Sequence, residues 1–259
     1  MSRLRNSYEL KLIRESGRIA SCALRRAMGE IRVGVSGLEV DKAVEQEIYK
    51  QGGDLSYKTV PGYKFATCVT VNEQVVHGIP TDRKFIAGDV VSVDLAVVYK
   101  GWHTDCAWSV LIRGKGEGGR GKGFGEKEKF LKTGEEALWL GIAQVIDGNR
   151  VGDISAAIQK KVESNGFSVV RSLVGHGVGR SLHEEPEIPG FGKAGTGPVL
   201  RNGMSLAIEV IYTAGLPDVS LEKDGWTFSS SDRSTGGLFE MTVIVGEKQP
   251  EVLTKVYGL

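Results

Sequence analysis

Three pairs of residues in this chain stand at one offset. Gly37 and Gly152 each open a stretch of helical periodicity. Gly88 and Gly203 open the apolar segments GDVVSVD and GMSLAIE, and Asp94 and Glu209 close them. The spacing is 115 positions in every pair (152 − 37, 203 − 88 and 209 − 94). A constant offset of this length points to a duplicated unit. The elements expected in each unit share one order. Helical periodicity covers 8–28 and 39–51, followed by strand-like runs over 66–71, 90–99 and 102–112. The second half has helices over 128–146 and 153–164, then strands over 169–173, 205–212, 226–228 and 238–245. This predicts an α/β chain with a pseudo-two-fold duplicated αβ unit, its halves 1–113 and 126–259 forming a single domain over 1–259. Equivalent strands meet about the pseudo-axis, which places Asp94 near Glu209. At 41% hydrophobic and 25% charged, the composition can fill one sizeable core.

Acids occupy positions where that core should be. Asp94 lies within VVSVDLAVVY, Glu209 within MSLAIEVIY and Glu240 within GLFEMTVIV. An ionised carboxylate buried alone is prohibitively costly, so such groups pair, protonate or coordinate metal. One such acid alone would read as a structural salt bridge. Three, with no Lys or Arg inside the same strands, point to metal. Asp105 adds a fourth. If Lys100 and Gly101 form a two-residue hairpin turn, residue 94 faces residue 107, and Asp105 lies diagonal to Asp94 on the same face. Two carboxylates side by side need a cation or a shared proton.

The segment LVGHGVGRSLHEEP, residues 173–186, holds two of the chain's four histidines. His176 stands between glycines and can supply an imidazole to the acids. Four carboxylates and one histidine are mostly hard oxygen donors, which favour two divalent ions with bridging carboxylates over a closed zinc site. Such a pair activates water and polarises a carbonyl, so the expected chemistry is hydrolysis. His103 falls near the hairpin turn on the Asp105 face and is expected to adjoin the ligands or face solvent.

Charge and cysteine content exclude other classes. A net charge of +1 presents no basic field for DNA. No apolar run approaches the roughly 20 residues that span a bilayer, and the charged first residues show no apolar leader. Three cysteines without a CxxC spacing fit a reducing compartment. A cytoplasmic protein is expected, and nothing demands a partner chain, so a monomer is expected too. Residues 114–125, GKGEGGRGKGFG, contain G-x-G-x-x-G and a near P-loop, but Gly123 stands where a Ser or Thr would hold magnesium. The segment therefore reads as a connection between the halves, and its lysines and arginine are candidates for transient contact with ribosomal RNA.

Asp94, Asp105, His176, Glu209 and Glu240, in that order, resemble the type I methionine aminopeptidases. So do VNEQVVHGIP (71–80), VDLAVVYKGWHTDCA (93–107), GHGVGRSLHEEP (175–186), NGMSLAIE (202–209) and KDGWT (223–227). The resemblance covers essentially the whole chain. It implies the pita-bread fold, with a central antiparallel sheet and helices on its outer face. It implies an aminopeptidase that removes the initiator methionine from nascent polypeptides and prefers a small second residue, using two divalent ions (manganese, iron, cobalt or zinc).

The resemblance also implies residue roles. Asp94 would chelate one metal, Asp105 and Glu240 would bridge both, and His176 and Glu209 would complete the other shell. Glu209 would also carry the proton between water and leaving amine. His183 would donate to the scissile carbonyl oxygen, and His77 would contact the scissile amide. Tyr63, Cys68, His77, Leu182 and Trp226 would line the methionine pocket, with Cys68 as a wall because no base stands beside it in sequence. Tyr63, Leu182 or Trp226 taken singly would read as ordinary core. The chain departs from the family pattern at Leu182, Val210 and Met241, where Phe or Tyr, Pro and His are usual, and the last two changes are expected to act on the residues that orient the ligands. Alternative readings are a pita-bread hydrolase cleaving Xaa-Pro bonds and a non-catalytic pita-bread binding protein.

Overall fold

The computed structural model describes residues 5–114 and 123–255. Nearly all of the glycine-rich connection, including Lys115, Arg120 and Lys122, lies outside them, and with it the reading of an RNA contact.

The chain begins with helices α1 (Ser7–Glu30) and α2 (Gly37–Lys50), then strand β1 (Asp54–Leu55) and a short 3-10 turn, Ser56–Thr59. Strands β2 (Thr67–Val71), β3 (Gln74–Val76), β4 (Val90–Tyr99) and β5 (Trp102–Leu111) complete the first half. The second half contains α3 (Phe124–Ile142), α4 (Val151–Ser164), β6 (Ser168–Val169), β7 (Gly175–Gly177) and β8 (Glu184–Ile188). It continues with β9 (Ser205–Thr213), β10 (Val219–Leu221), β11 (Phe228–Ser230), β12 (Gly236–Ile244) and β13 (Glu251–Val252).

Local chemistry sets several boundaries. Asn6 and Glu9 form a reciprocal cap on α1, and Ser36 and Glu39 form the same cap on α2. The second cap starts α2 at Gly37, the first glycine of the 115-residue offset. Lys100 (φ 49°) and Gly101 (φ 76°) make the tight β4–β5 turn, and left-handed values at both positions match the turn type that suits the twist of antiparallel strands. The resulting register pairs Asp94 with Ala107, as the two-residue turn predicts.

The main sheet runs β1-β4-β5-β12-β9-β7-β8, with β2 on β4, β6 on β9 and β13 on β12. All its pairings are antiparallel. Strands β10, β11 and β3 form a second, smaller sheet. Several short strands escape sequence reading because two or three residues show no usable alternation.

The long central strands are buried on both sides, and their alternation separates two functions. Val93, Leu95, Cys106, Trp108, Ile208, Val210, Phe239 and Met241 pack in one cluster with residues of all four helices, including Leu24, Val44, Leu138 and Ile154. The intervening residues, Asp94, Ala107, Glu209 and Glu240, therefore point to the opposite, helix-free face. A one-residue slip would drive every acid into the helical core.

Candidate active site

Strand register assembles the site. Asp94 on β4 pairs with Cys68 on one side and Ala107 on the other. Ala107 pairs with Glu240 on β12, and Glu240 pairs with Glu209 on β9. One row across five strands thus reads Cys68, Asp94, Ala107, Glu240, Glu209. The methyl group at its centre leaves room for what the acids surround. Two residues along β5, Asp105 pairs with Ala96, while His176 on β7 pairs with Ala207, two residues before Glu209. Asp105, His176 and Glu240 offer ligand atoms that all lie within 4.8 Å of one another.

The glycines around His176 have a tertiary explanation. Strand β7 lies between β8 and β9, and a Cβ on Gly175 would come within 2.7 Å of the Ala207 carbonyl oxygen. A Cβ on Gly177 would collide with the Glu185 carbonyl. Close backbone approach on both sides, not a sharp turn, demands glycine here. His176 Nδ1 donates to Gly177 O at 2.9 Å, which leaves Nε2 without its proton and 3.4 Å from Glu209 Oε1. The tautomer is therefore the one a metal ligand needs.

The electrostatics call for a cation. Among the described residues no lysine or arginine pairs with Asp94, Asp105, Glu209 or Glu240. Burial raises the Asp94 carboxyl to about 6, against the opposing hydrogen bonds from Tyr57 and Asp105. Burial, then the charges of Asp94 and Glu209, push Asp105 well above the carboxylate range. Glu209 and Glu240 rise for the same reasons, burial first. Glu240 Oε1 is buried with no hydrogen-bond partner. An orphaned carboxylate oxygen within a cluster of acids is what a divalent ion would satisfy, so the donors fit such ions.

These groups form the floor of a cavity of about 130 Å³. Every residue named from the sequence for the site lines it, and Tyr57 and Val60 line it as well. Tyr63, Cys68 and Leu182 are buried in one apolar cluster with Tyr57, against which Val60 and Trp226 pack. Tyr63 meets Trp226 edge-on at 5.0 Å, and its hydroxyl donates to Thr67 O at 2.7 Å. Burial and the neighbouring Asp94 push the Cys68 thiol well above its ordinary range, so it stays protonated and serves as wall. A cavity of roughly 150 Å³ accepts benzene, with six heavy atoms. The four heavy atoms of a methionyl side chain fit here.

His77 and His183 stand at the mouth, each partly open to solvent. His77 has φ 56°, a left-handed conformation that costs a non-glycine residue on the order of 1–3 kcal/mol and tends to mark functional positions. His183 meets the His176 ring edge-on at 4.4 Å. Burial of its ring lowers the pKa of His183, and burial followed by the charge of His183 lowers that of His77, so both are neutral at pH 7. The loop carrying Leu182 and His183 is anchored by Glu184. This carboxylate accepts from Arg180 N at 2.6 Å and Ser181 N at 3.1 Å, and it pairs with the buried Arg5 guanidinium. Arg5 and Arg180 also approach the buried Trp102 ring, at 5.2 and 4.4 Å from its centroid.

One sequence expectation narrows and one changes. His103 is buried, which removes its solvent-facing alternative: its Nδ1 lies 2.7 Å from Ser56 Oγ, and its backbone N–H donates to Gly179 O. Val210 and Met241 pack among the helices, on the far side of the sheet from the ligands, so they do not touch the acids. Sequence reading missed Tyr57, Val60 and Arg5, because no spacing or motif connects residues in turns and termini to the acids on distant strands, and it gave no role to Glu184, whose partner Arg5 lies 179 positions away.

Over residues 11–247 the sequence matches Metallopeptidase family M24. The chain belongs to this family. The M24 chain is 39% identical to methionine aminopeptidase of Clostridium perfringens over 253 residues, 98% of each protein. The crystal structure of methionine aminopeptidase from Thermotoga maritima superposes with a TM-score of 0.92 at 39% identity, covering 98% of this chain and 100% of that one. Prolidase from Pyrococcus furiosus shares the fold alone, at 21% identity and TM-score 0.75 over 98% of this chain and 66% of its own. The architecture is the pita-bread fold expected from the sequence. As an M24 metallopeptidase the chain is a hydrolase that uses divalent metal.

Proposed function

We propose that this M24 metallopeptidase removes the initiator methionine from new polypeptides. The observation that carries the reading is the cluster of four carboxylates, unpaired with any lysine or arginine among the described residues, and His176 at the floor of an apolar cavity sized for one methionyl side chain. The matching of nearly full-length relatives called methionine aminopeptidase supports it. Residues 1–259 act as one catalytic domain whose halves, 1–113 and 126–259, meet at that row.

Asp94, Asp105, His176, Glu209 and Glu240 would together hold the two divalent ions, with Asp105 and Glu240 shared between them and His176 and Glu209 serving the ion that Asp94 does not. Oxygen-rich donors with one imidazole accept manganese, iron, cobalt or zinc, so availability selects the metal. Bound there, two ions would supply an activated water and Lewis-acid polarisation at neutral pH. The chain's own residues do the rest. Tyr63, Cys68, Leu182 and Trp226 pack against the methionyl side chain and exclude water. Glu209 accepts the water's proton on its carboxylate and returns it to the leaving amine. His183, neutral at pH 7, donates N–H to the scissile carbonyl oxygen as negative charge develops on it, and His77 positions the scissile amide. A small second residue is preferred, because a tight site would crowd a larger one. Among the described residues no helix is long and apolar enough to cross a membrane. A monomer working in the cytoplasm, where new chains emerge, suits this reading.

Hydrolysis of Met-Ala-Ser, Met-Lys-Ser and Ala-Pro-Ser by protein reconstituted with manganese, iron or cobalt tests it. Methionine is expected from the first peptide only. Cleavage of Ala-Pro-Ser alone would move the assignment to Xaa-Pro hydrolysis, and inactivity of protein shown to bind metal would favour a binding protein.

The acids also make a stability prediction. Asp94 titrates near 6 in the fold against an ordinary 3.8, and Asp105, Glu209 and Glu240 are raised further. The native state thus holds protons that the unfolded chain releases. The associated stability is fully present below about pH 4 and disappears as pH rises through about 6 and beyond. Calorimetry should find the Tm of metal-free protein falling between about pH 5 and 8, with the stabilisation by added Mn²⁺ largest at the upper end. A metal-free Tm that rises over this range would contradict the arrangement.

A further inference from the structure

Tyr57 belongs to two environments at once. Its ring is buried in the apolar cluster with Tyr63, Cys68 and Leu182 and meets the Tyr63 ring edge-on at 5.6 Å. Its hydroxyl donates to Asp94 Oδ1 at 2.6 Å. The backbone that carries it is held from several sides. Just ahead of it, β1 pairs with β4 through Asp54–Val98 and Leu55–Val97. Ser56 Oγ lies 2.7 Å from Nδ1 of His103 on β5, and Tyr57 O accepts from Val60 N at 2.9 Å. The phenol therefore reaches Asp94 from a turn tied to both strands of the hairpin that carries Asp94 and Asp105. It is a fixed donor rather than a group that finds the carboxylate by rotation.

We propose that Tyr57 is a positioning residue. Its hydroxyl orients the Asp94 carboxylate toward the divalent ion, and its ring closes the wall against which the first side chain of the substrate packs. Metal affinity and side-chain recognition thereby share one residue. The physical basis is that a ligating carboxylate with an immobile outer donor keeps its geometry when the ion arrives. Without that donor the carboxylate must be ordered at the ion's expense, and loss of such a partner typically weakens metal affinity by about 10–100-fold. The inference rests on the metal site proposed above.

Tyr57→Phe removes the hydroxyl and keeps the ring, and Tyr57→Leu removes both. Mn²⁺ is titrated calorimetrically into metal-stripped wild type and both variants, and KM for Met-Ala-Ser is measured at saturating Mn²⁺. Tyr57→Phe is expected to raise the Mn²⁺ Kd by about tenfold or more. Tyr57→Leu should raise it by a similar factor and, in addition, raise KM above that of Tyr57→Phe. The metal-free Tm of Tyr57→Phe should stay within a few degrees of wild type, which separates an effect on the site from one on the fold. A wild-type Mn²⁺ Kd in Tyr57→Phe overturns the positioning role while leaving the metal site standing. Wild-type protein that takes up no Mn²⁺ overturns the metal site and this inference together.

Discussion

Replacing Asp105 with asparagine is expected to lower kcat by about 10³-fold or more, because metal assistance contributes several kcal/mol and each 1.36 kcal/mol is tenfold in rate. Asp105 is the acid the other donors surround: it shares a 4.8 Å cluster with His176 and Glu240 and hydrogen-bonds Asp94. On the proposed reading it bridges both ions, and an amide supplies neither the charge nor the second anionic oxygen. The fold should tolerate the change. Cys106 N donates to Asp105 Oδ1, which an asparagine oxygen can still accept, and the Asp105 backbone remains tied to Thr242 Oγ1. In metal-free protein at neutral pH the fold must keep the buried Asp105 carboxyl protonated while the unfolded chain ionises it, and an amide removes that cost. Tm should therefore rise, by about 2–4 °C for each kcal/mol of this cost removed. Opposite movements of activity and metal-free stability are the diagnostic result. If Asp105→Asn keeps wild-type turnover at saturating metal, the bridging role is wrong. If it unfolds the metal-free protein, the carboxylate was structural.

His183→Ala is expected to cost about 10²–10³-fold in kcat, the usual loss on deleting one donor to a developing oxyanion. The histidine packs against His176 without joining the tight ligand cluster, so Mn²⁺ affinity should remain close to wild type. KM for Met-Ala-Ser should change less than kcat, because the donor acts most strongly on charge that appears after binding. Burial keeps His183 neutral at pH 7, and its N–H donates without a positive charge. Lowering the pH toward 6 should therefore bring no gain through this residue. Stopped-flow or steady-state kinetics paired with metal titration decides the matter. A kcat within about threefold of wild type would remove His183 from the chemistry, and a large loss of Mn²⁺ affinity would move it into the metal shell.

The long elements were legible because their periods are long enough to read. Strands β4, β9 and β12 announce themselves as largely apolar runs of nine or ten residues, and each acid inside them is conspicuous because no lysine or arginine in its own strand can neutralise it. The two-residue turn at Lys100 and Gly101 sufficed to place Asp105 beside Asp94. The glycines around His176 admit neighbouring strands, a requirement set by backbone segments distant in the chain. Val210 and Met241 show the limit of reading along the chain. Each adjoins a site acid in sequence, yet a strand turns successive side chains to opposite faces, so both lie in the helical core.

What the sequence by itself carried is four acids set where a core should be, a histidine between glycines and a duplicated α/β order. These are properties of residue type and spacing, which survive without knowledge of contacts, whereas the pocket residues and the roles of His77 and His183 came with the resemblance to the methionine aminopeptidases. Tertiary structure alone decided how Asp94, Glu240 and Glu209 align in one row across β4, β12 and β9 with Asp105 beside it on β5, because strand order in a sheet is fixed by packing between segments distant in the chain. It alone brought Tyr57 to Asp94 and Arg5 to Glu184, 37 and 179 positions apart. Contacts of that range come from the burial of a shared core and the closure of the sheet, and no local pattern records them.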